Sequence, residues 1–480
     1  MFRNWNFKLL FKIIGQILFY SSFTLLLPVI FSIIFSEPIY ITLLYLISFS
    51  VCFLVSLIWY KTIKVDSIEK YYSLNKIHYL LIICLVWLIY AVFSSLPFMF
   101  AGSFSFIDSY FEVISALTTT GLTIFPKLNI LNSLILWRSI LSWIGGIGII
   151  LIAYFGLTNS FVNTNKLIGA EGHGRLRPSF KKALKDIWII YIVLTIIGII
   201  LLSIFGMNFF DSLNYSMSAI STTGMDSSVA GRLALDLPGI QLSLIIIMLL
   251  GATSFITHFS FFKKKSFKEY IKDKEFVFML LIVFIGFILV LLKLYNRFDW
   301  ISILFNVVSL NSCGGFTNWN FAQILSTGPF VLLIFMVLMV IGGSTNSTTG
   351  GIKVDRLVIF IKSIYWKIKS IKLPDIAYFS KKHNHLIIED KDIRNIYFFI
   401  LMYLLFIIIG TFVLSFYGFG IKESLFEVIS AQGNVGVSIG IIQPAMPLVS
   451  KIMLIINMWV GRLEIIPILG LIGMLLQRKK

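Results

Sequence analysis

Long apolar runs separated by short polar stretches dominate the chain. They fall at roughly 9–35, 39–60, 78–100, 133–157, 187–206, 238–262, 276–294, 329–341, 393–417 and 447–475. Most are long enough to read as helices crossing a bilayer, for which about 18 consecutive apolar residues suffice. From the third run onward the runs pair off, and each pair encloses a shorter window that ends in glycine. The windows are Phe111–Gly121 (FEVISALTTTG), Asn214–Gly224 (NYSMSAISTTG), Phe305–Gly315 (FNVVSLNSCGG) and Phe426–Gly436 (FEVISAQGNVG). Serine recurs at one position (Ser115, Ser218, Ser309, Ser430), and alanine follows it in three of the four (Ala116, Ala219, Ala431). Thirteen residues before the glycine stand Asp108, Asp211, Ser302 and Glu423. These are expected to be the N-caps of a short helix of about ten residues.

A helix of that length rises about 15 Å, against a hydrocarbon core of about 30 Å, so it should enter and leave the membrane on one side. Two crossings per unit keep all units parallel, and parallel units can surround an axis along the membrane normal. The expected fold is an all-α integral membrane protein. Four parallel helix–short helix–helix (M1–P–M2) repeats surround a pseudo-fourfold pore, after two N-terminal transmembrane helices. The expected divisions are 1–76 for the N-terminal pair, then 77–165, 166–274, 275–372 and 373–480 for the repeats. Chance likeness among apolar segments is the competing explanation. The shared glycine, serine and cap positions, in one hydropathy context, argue against it.

Composition supports a membrane protein. Of 480 residues, 58% are hydrophobic and 13% charged, and the mean hydropathy is +0.93, more apolar than a water-facing exterior permits. The first run follows Arg3 and Lys8, is too long for a signal-peptide core and lacks a small-residue cleavage site, so it is expected to remain as a helix. The net charge of +18 invites a nucleic-acid reading, but its distribution favours a topological one. Segments 61–76, 166–185, 263–274 and 353–394 carry 4, 6, 6 and 10 Lys+Arg, and with three near each terminus they hold 32 of the 40. These segments and both termini are therefore expected in the cytoplasm. The opposite loops hold only Lys127, Arg232, Arg297 and Lys422. Anionic lipid or an acidic partner face could use the basic excess as well.

Four re-entrant turns around one axis would line an aqueous cavity, the setting in which non-helical backbone is tolerated at membrane depth. Helix C-termini pointing inward favour a cation, and backbone carbonyls beyond them can replace its hydration shell. Glycine suits such a turn because it adopts unusual dihedrals and adds no side chain. The candidate ion-binding residues are Thr119, Thr120, Gly121, Thr222, Thr223, Gly224, Cys313, Gly314, Gly315, Asn434, Val435 and Gly436. A lone TTG would be an ordinary turn; four windows in register favour a filter. After about 13 apolar residues, or half the core, the third unit breaks into GGSTNSTTGGIK, Gly342–Lys353. This is read as an intramembrane gate rather than a cytoplasmic linker, with Gly342, Gly343, Ser344, Thr345, Gly350, Gly351 and Lys353 as its candidates. Arg462 lies near the middle of the last span. It is expected to face inward and pair with loop carbonyls or Glu464, because a charge at that depth costs about 2.5 kcal/mol or more.

Other chemistries find little support. Cys52, Cys84 and Cys313 make no disulfide framework, and the first two are expected to be packing residues. There is no Walker loop, and Gly172-His173-Gly174 lacks the strand a dinucleotide fingerprint needs. His383 and His385 are read as a solvated surface pair rather than metal ligands. No cluster of intramembrane His, Asp and Glu points to catalysis.

The four units with one filter glycine each resemble the Trk/Ktr/HKT superfamily of potassium transporters over nearly the whole chain. The motifs that carry the resemblance are TTTG at 118–121, STTG at 221–224, the glycine-rich loop before Ile352-Lys353, WIGGIGII at 143–150 and GRLEI at 461–465. The length and the two extra N-terminal helices resemble the TrkH branch; the FEVISA…GNVG window looks more like KtrB. The resemblance implies potassium uptake in a multi-pass protein of the bacterial plasma or inner membrane. It places K+ at Gly121, Gly224, Gly315 and Gly436, and control of conduction at Gly342–Gly351 and Arg462. It also implies a homodimer and a cytoplasmic ring of nucleotide-binding (TrkA-like) regulatory subunits, with no nucleotide site in this chain. Glycine at all four positions is the potassium-selective pattern, and serine in the first unit goes with sodium. The third filter, Ser312-Cys313-Gly314-Gly315, departs from the usual threonines. The alternative is a secondary transporter of sodium or a small solute built on the same repeats.

Overall fold

The computed structural model describes residues 7–62, 76–125, 130–157, 180–371, 380–384 and 386–463. Gly172-His173-Gly174, His385, Glu464, Lys127, Arg3 and the C-terminal Arg478-Lys479-Lys480 lie outside them. So do most of segments 61–76 and 166–185, the division at 165/166 and the end of the last span.

Apart from one two-stranded hairpin (Lys382–His383 with Leu386–Ile387), the described elements are helical. Phe7–Ser22 and Leu26–Ile34, joined through a 3-10 turn, pack along Ile39–Thr62. Glu37 ties this N-terminal group to the next helices by accepting from Ser133 Oγ at 2.6 Å. A pattern of long helix, helix of 12 or 13 residues, left-handed turn and second helix then recurs. The long first helices are Lys76–Phe100, Phe180–Ile204, Lys274–Leu294 and Asp390–Phe416. The short helices are Phe106–Leu117, Phe209–Ile220, Trp300–Asn311 and Ile421–Gly433. The second helices are Asn132–Leu157, Pro238–Ala252, Pro329–Val340 and Leu448–Leu463.

Among the described residues, five helices are long and apolar enough to cross a membrane, and a bent pair makes a sixth. Their outward faces carry exposed Ile200, Phe284, Leu292, Leu401 and Phe412. The short helices instead lie in the middle of the molecule, with Phe111, Val113, Phe305, Val307, Phe426 and Val428 in the buried core.

The short helices begin one turn earlier than the sequence suggests. Asp108, Asp211, Ser302 and Glu423 are not the N-caps. The caps are Ser105, Asn208 and Asp299, whose side chains accept from the amides of Asp108, Asp211 and Ser302. Gly420 takes the cap position before Glu423. The acidic residues sit in the first turn, where they face the positive helix end.

Nor is 238–262 one continuous span. Pro238–Ala252 and Phe255–Lys264 meet at 100°. Thr253 is extended (φ −85°, ψ 148°), and the groups freed by the break are bonded by the glycine-rich loop of the third unit. Ser344 N donates to the Ala252 carbonyl (3.0 Å), Thr348 N to that of Gly251 (3.2 Å), and Phe255 N to that of Asn346 (3.1 Å). Small residues at 251–254 offer little packing to keep the helix straight, and the loop supplies alternative partners.

Candidate functional site

All four short helices end in the same hydrogen-bonded motif. The carbonyls of Ser115, Ser218, Ser309 and Ser430 accept from the amides of Thr120 (2.8 Å), Thr223 (2.9 Å), Gly314 (2.7 Å) and Val435 (2.9 Å). This six-to-one closure requires the residue before the donor to be left-handed. Thr119, Thr222, Cys313 and Asn434 are so, with φ of 51°, 54°, 55° and 53°. Two residues later Gly121, Gly224, Gly315 and Gly436 are left-handed again, at 88°, 79°, 71° and 93°. The recurring serine thus has a structural role as the acceptor that closes the helix. Its hydroxyl also accepts from Met225 N (2.8 Å) in the second unit and Gly436 N (3.1 Å) in the fourth. A left-handed conformation costs a residue with a Cβ about 1–2 kcal/mol. Threonine occupies it twice inside a fully buried setting, a strain of the kind found at functional sites. The glycines are legible in the sequence; these four positions are not. Asn434, a residue that tolerates this region, was the available signal.

The turns close into a ring. A Cβ on Gly121 would collide with the Thr223 carbonyl, one on Gly224 with Gly314 and Gly315, one on Gly315 with the Val435 carbonyl, and one on Gly436 with the Thr120 carbonyl. Each glycine therefore abuts the carbonyl that precedes a neighbouring unit's glycine, in the order first, second, third, fourth and back to first. Hydroxyl pairs brace two walls: Thr118 with Thr120 and Ser221 with Thr223, both at 2.8 Å. The third and fourth walls have Ser312 with Gly314, and Gly433 with Val435, and lack such a pair.

Nine residues before each glycine, a polar side chain holds the strand beyond the turn. Glu112 accepts from Thr123 Oγ1 (2.9 Å) and Ile124 N (3.2 Å). Tyr215 donates to Asp226 (3.3 Å), and Asn306 accepts from Thr317 (2.7 Å). Glu427 accepts from Ser438 Oγ (2.6 Å), Ile439 N (2.9 Å) and Ile441 N (3.4 Å). The glutamate shared by both FEVISA copies thus fixes the wall behind the ring, a role that apolar periodicity does not signal. Two buried cations also went unread. Arg138 bonds Glu112 at 2.9 Å and donates to the Asp226 carbonyl, joining the first unit to the second. Lys451 pairs with Asp108 at 2.5 Å, joining the fourth to the first. Their signal was a charge inside an apolar span.

A cavity of about 580 Å³ opens on one side of the ring. All four glycines line it, with Thr123, Asp226, Thr317 and Ser438. The glycine-rich loop fills the other side. The chain leaves at Ile341 and returns at Ile352, which form a parallel bridge; Gly342 N bonds the Ile352 carbonyl (3.0 Å) and Ile352 N that of Val340 (2.8 Å). Within the loop, Gly343 N bonds Thr349 Oγ1 (3.0 Å), and buried Lys353 reaches the same hydroxyl (3.0 Å). Thr345 N bonds Glu275, and a Cβ on Gly351 would crowd Gly342 N. Three of the left-handed residues touch the loop. Thr222 Oγ1 donates to Thr348 Oγ1 (3.2 Å), the Cys313 sulfur lies beside the Gly350 backbone, and a Cβ on Gly350 would crowd Asn434. Arg462, 2% exposed, donates to the Thr348 carbonyl and to that of Gly145 (3.2 Å). Gly145, Gly251 and Gly461 let the second helices approach the terminal carbonyls of the short helices, at Leu117, Ile220 and Gln432. This gives a packing reason for Gly145 of the WIGG motif and for Gly461.

Outside the ring, His383 is buried, bonding Asp355 at 2.7 Å and approaching Lys362 at 3.2 Å; it is not the solvated side chain the sequence suggested. Cys52, Cys84 and Cys313 are buried and unbridged, and no group of three metal-ligating side chains occurs among the described residues.

A helical chain with many apolar spans and a ring of carbonyls at its centre is a membrane transport architecture. The chain belongs to the TrkH family, described as cation transport proteins, which matches residues 53–478; it is a transporter family, not one of enzymes. The chain is 33% identical over 404 residues to an uncharacterized cation transporter of Methanocaldococcus jannaschii, covering 83% of each. It is 28% identical over 486 residues to the Trk system potassium uptake protein TrkH of Escherichia coli, covering 97% of this chain and 98% of that one. The crystal structure of the potassium transporter TrkH from Vibrio parahaemolyticus superposes with a TM-score of 0.86 at 26% identity, over 97% and 98% of the two chains.

Proposed function

We propose that this chain conducts potassium into the cell through the glycine ring. The observation that carries the reading is the closed cycle in which Thr120, Thr223, Gly314 and Val435 present carbonyls to Gly436, Gly121, Gly224 and Gly315. Convergent carbonyls replace a cation's hydration shell, and the C-terminal ends of the short helices bring further negative potential. The names of the TrkH relatives support potassium as the ion. In this reading residues 77–165, 166–274, 275–372 and 373–480 are the parallel M1–P–M2 repeats of a pseudo-fourfold pore, and 1–76 flank it. The 580 Å³ cavity is the outer vestibule. The loop 342–351 is the gate, which Arg462 and Lys353 hold shut. The protein works as a homodimer in the cell membrane, with its basic segments and both termini in the cytoplasm, where a ring of nucleotide-binding subunits acts on the gate. Expression in a bacterium lacking its potassium uptake systems should restore growth on low potassium. A membrane-inserted protein that gives no growth contradicts the reading, and uptake of sodium in place of potassium favours the secondary-transporter alternative.

A further inference from the structure

The bent helix of the second unit ends in a basic hairpin to which the filter and gate assign no role. Phe255–Lys264 runs at 100° to Pro238–Ala252 and turns back through Lys268–Lys272. Side chains fix this hairpin. His258 Nδ1 meets the Tyr270 hydroxyl (2.8 Å) and its Nε2 the Leu250 carbonyl (2.9 Å), while Thr257 donates to Asp273 (2.5 Å). Its outer surface carries Lys263, Lys264, Lys265, Lys268, Lys272 and Lys274, all exposed. Between them stand Ile256, Phe259 and Phe262, with Phe267 and Ile271 exposed at 75% and 73%. Lys264 and Lys272 hold Glu269 below the usual carboxylate range, so it stays charged but answers only part of the lysine charge.

We propose that this hairpin is a contact site for anionic lipid headgroups and that it acts directly on the gate loop. Lysines interleaved with exposed phenylalanine and isoleucine, on a helix lying across a membrane span, suit the headgroup boundary: apolar side chains enter the acyl region and ammonium groups meet phosphates. The exposed apolar face of the preceding span (Leu242, Ile246) continues along the chain into Ile256 and Phe259, so bilayer contact passes onto the hairpin without interruption. Both ends of the hairpin hold the gate loop. Gly251, Ala252 and Phe255 bond Thr348, Ser344 and Asn346 before it, and Glu275 bonds Thr345 N after it. Drawing the hairpin toward anionic headgroups pulls on four loop positions and loosens the gate. The inference rests on the gate reading and on the cytoplasmic placement of this side.

The test uses full-length protein in liposomes of phosphatidylcholine, with or without phosphatidylglycerol, and reads rubidium uptake together with lipid retention by native mass spectrometry. Each lysine near an anionic surface contributes about a fivefold factor in affinity. The K263Q/K264Q/K265Q/K268Q variant should therefore lose most retained phosphatidylglycerol and the flux increase that this lipid gives the wild type. The same four positions changed to arginine should keep both. Equal retention and an equal flux increase in the glutamine variant overturn the proposal. So does a variant that keeps its lipid response but loses its response to a cytoplasmic nucleotide-binding subunit, which would make the hairpin a protein-docking face. If no liposome takes up rubidium, the conduction reading fails, while lipid retention still decides whether the hairpin binds headgroups.

Discussion

The Arg462 guanidinium and the Thr348 carbonyl, 114 residues apart in the chain, meet on the loop side of the glycine ring. The same guanidinium reaches the Gly145 carbonyl, so one side chain of the fourth unit clamps the third unit's loop against the first unit's second helix. Replacing Arg462 with glutamine should release the loop and raise basal rubidium flux several-fold. Two buried carbonyls would lose a charged donor, at about 1–3 kcal/mol each, so the melting temperature in detergent should fall at the same time. A drop in both flux and stability would mean that the arginine only supports the fold.

The thiol of Cys313 provides an internal reporter of the glycine-rich loop. It is fully buried against the backbone of Gly350. With Cys52 and Cys84 replaced by alanine, a cytoplasmic methanethiosulfonate should modify Cys313 slowly in the intact protein. Modification should be several-fold faster when 342–351 is shortened. An unchanged rate in a folded deletion would place the barrier elsewhere.

The two glutamates of the repeated phrase should respond differently to the same change. Glu427 accepts all its bonds through Oε1, and its Oε2 has no partner. An amide nitrogen can occupy the Oε2 position, so E427Q should cost under about 1 kcal/mol, one acceptor serving as before. Glu112 uses both oxygens and faces Arg138, and breaking that buried pair should cost about 3–5 kcal/mol. Thermal unfolding of the purified variants compares them; equal losses would show that the ion pair contributes little.

The left-handed glycines, the short helices before them and the break after the third unit's second helix were legible because turn chemistry and helix length are local properties. So was Arg462, since a charge in an apolar span must find a partner. The left-handed Thr119, Thr222 and Cys313 were not legible, because those residue types avoid that conformation unless tertiary packing imposes it. The bend at Thr253-Ser254 was hidden for a related reason: its backbone partners lie on a loop about ninety residues away, and hydropathy reads 238–262 as continuous. The caps were misplaced by one turn because an acid in the first turn and an acid at the cap look alike in sequence.

Potassium selection by the glycine ring is what the proposed function stands on. It is tested most directly by rubidium uptake into liposomes containing only this chain, with potassium or sodium as competitor. Potassium should suppress uptake, and equal sodium should barely do so. Gly121→Ser should narrow this difference, because its Cβ would meet the Thr223 carbonyl at a φ of 88°. Equal suppression by sodium and potassium in the wild type would contradict it.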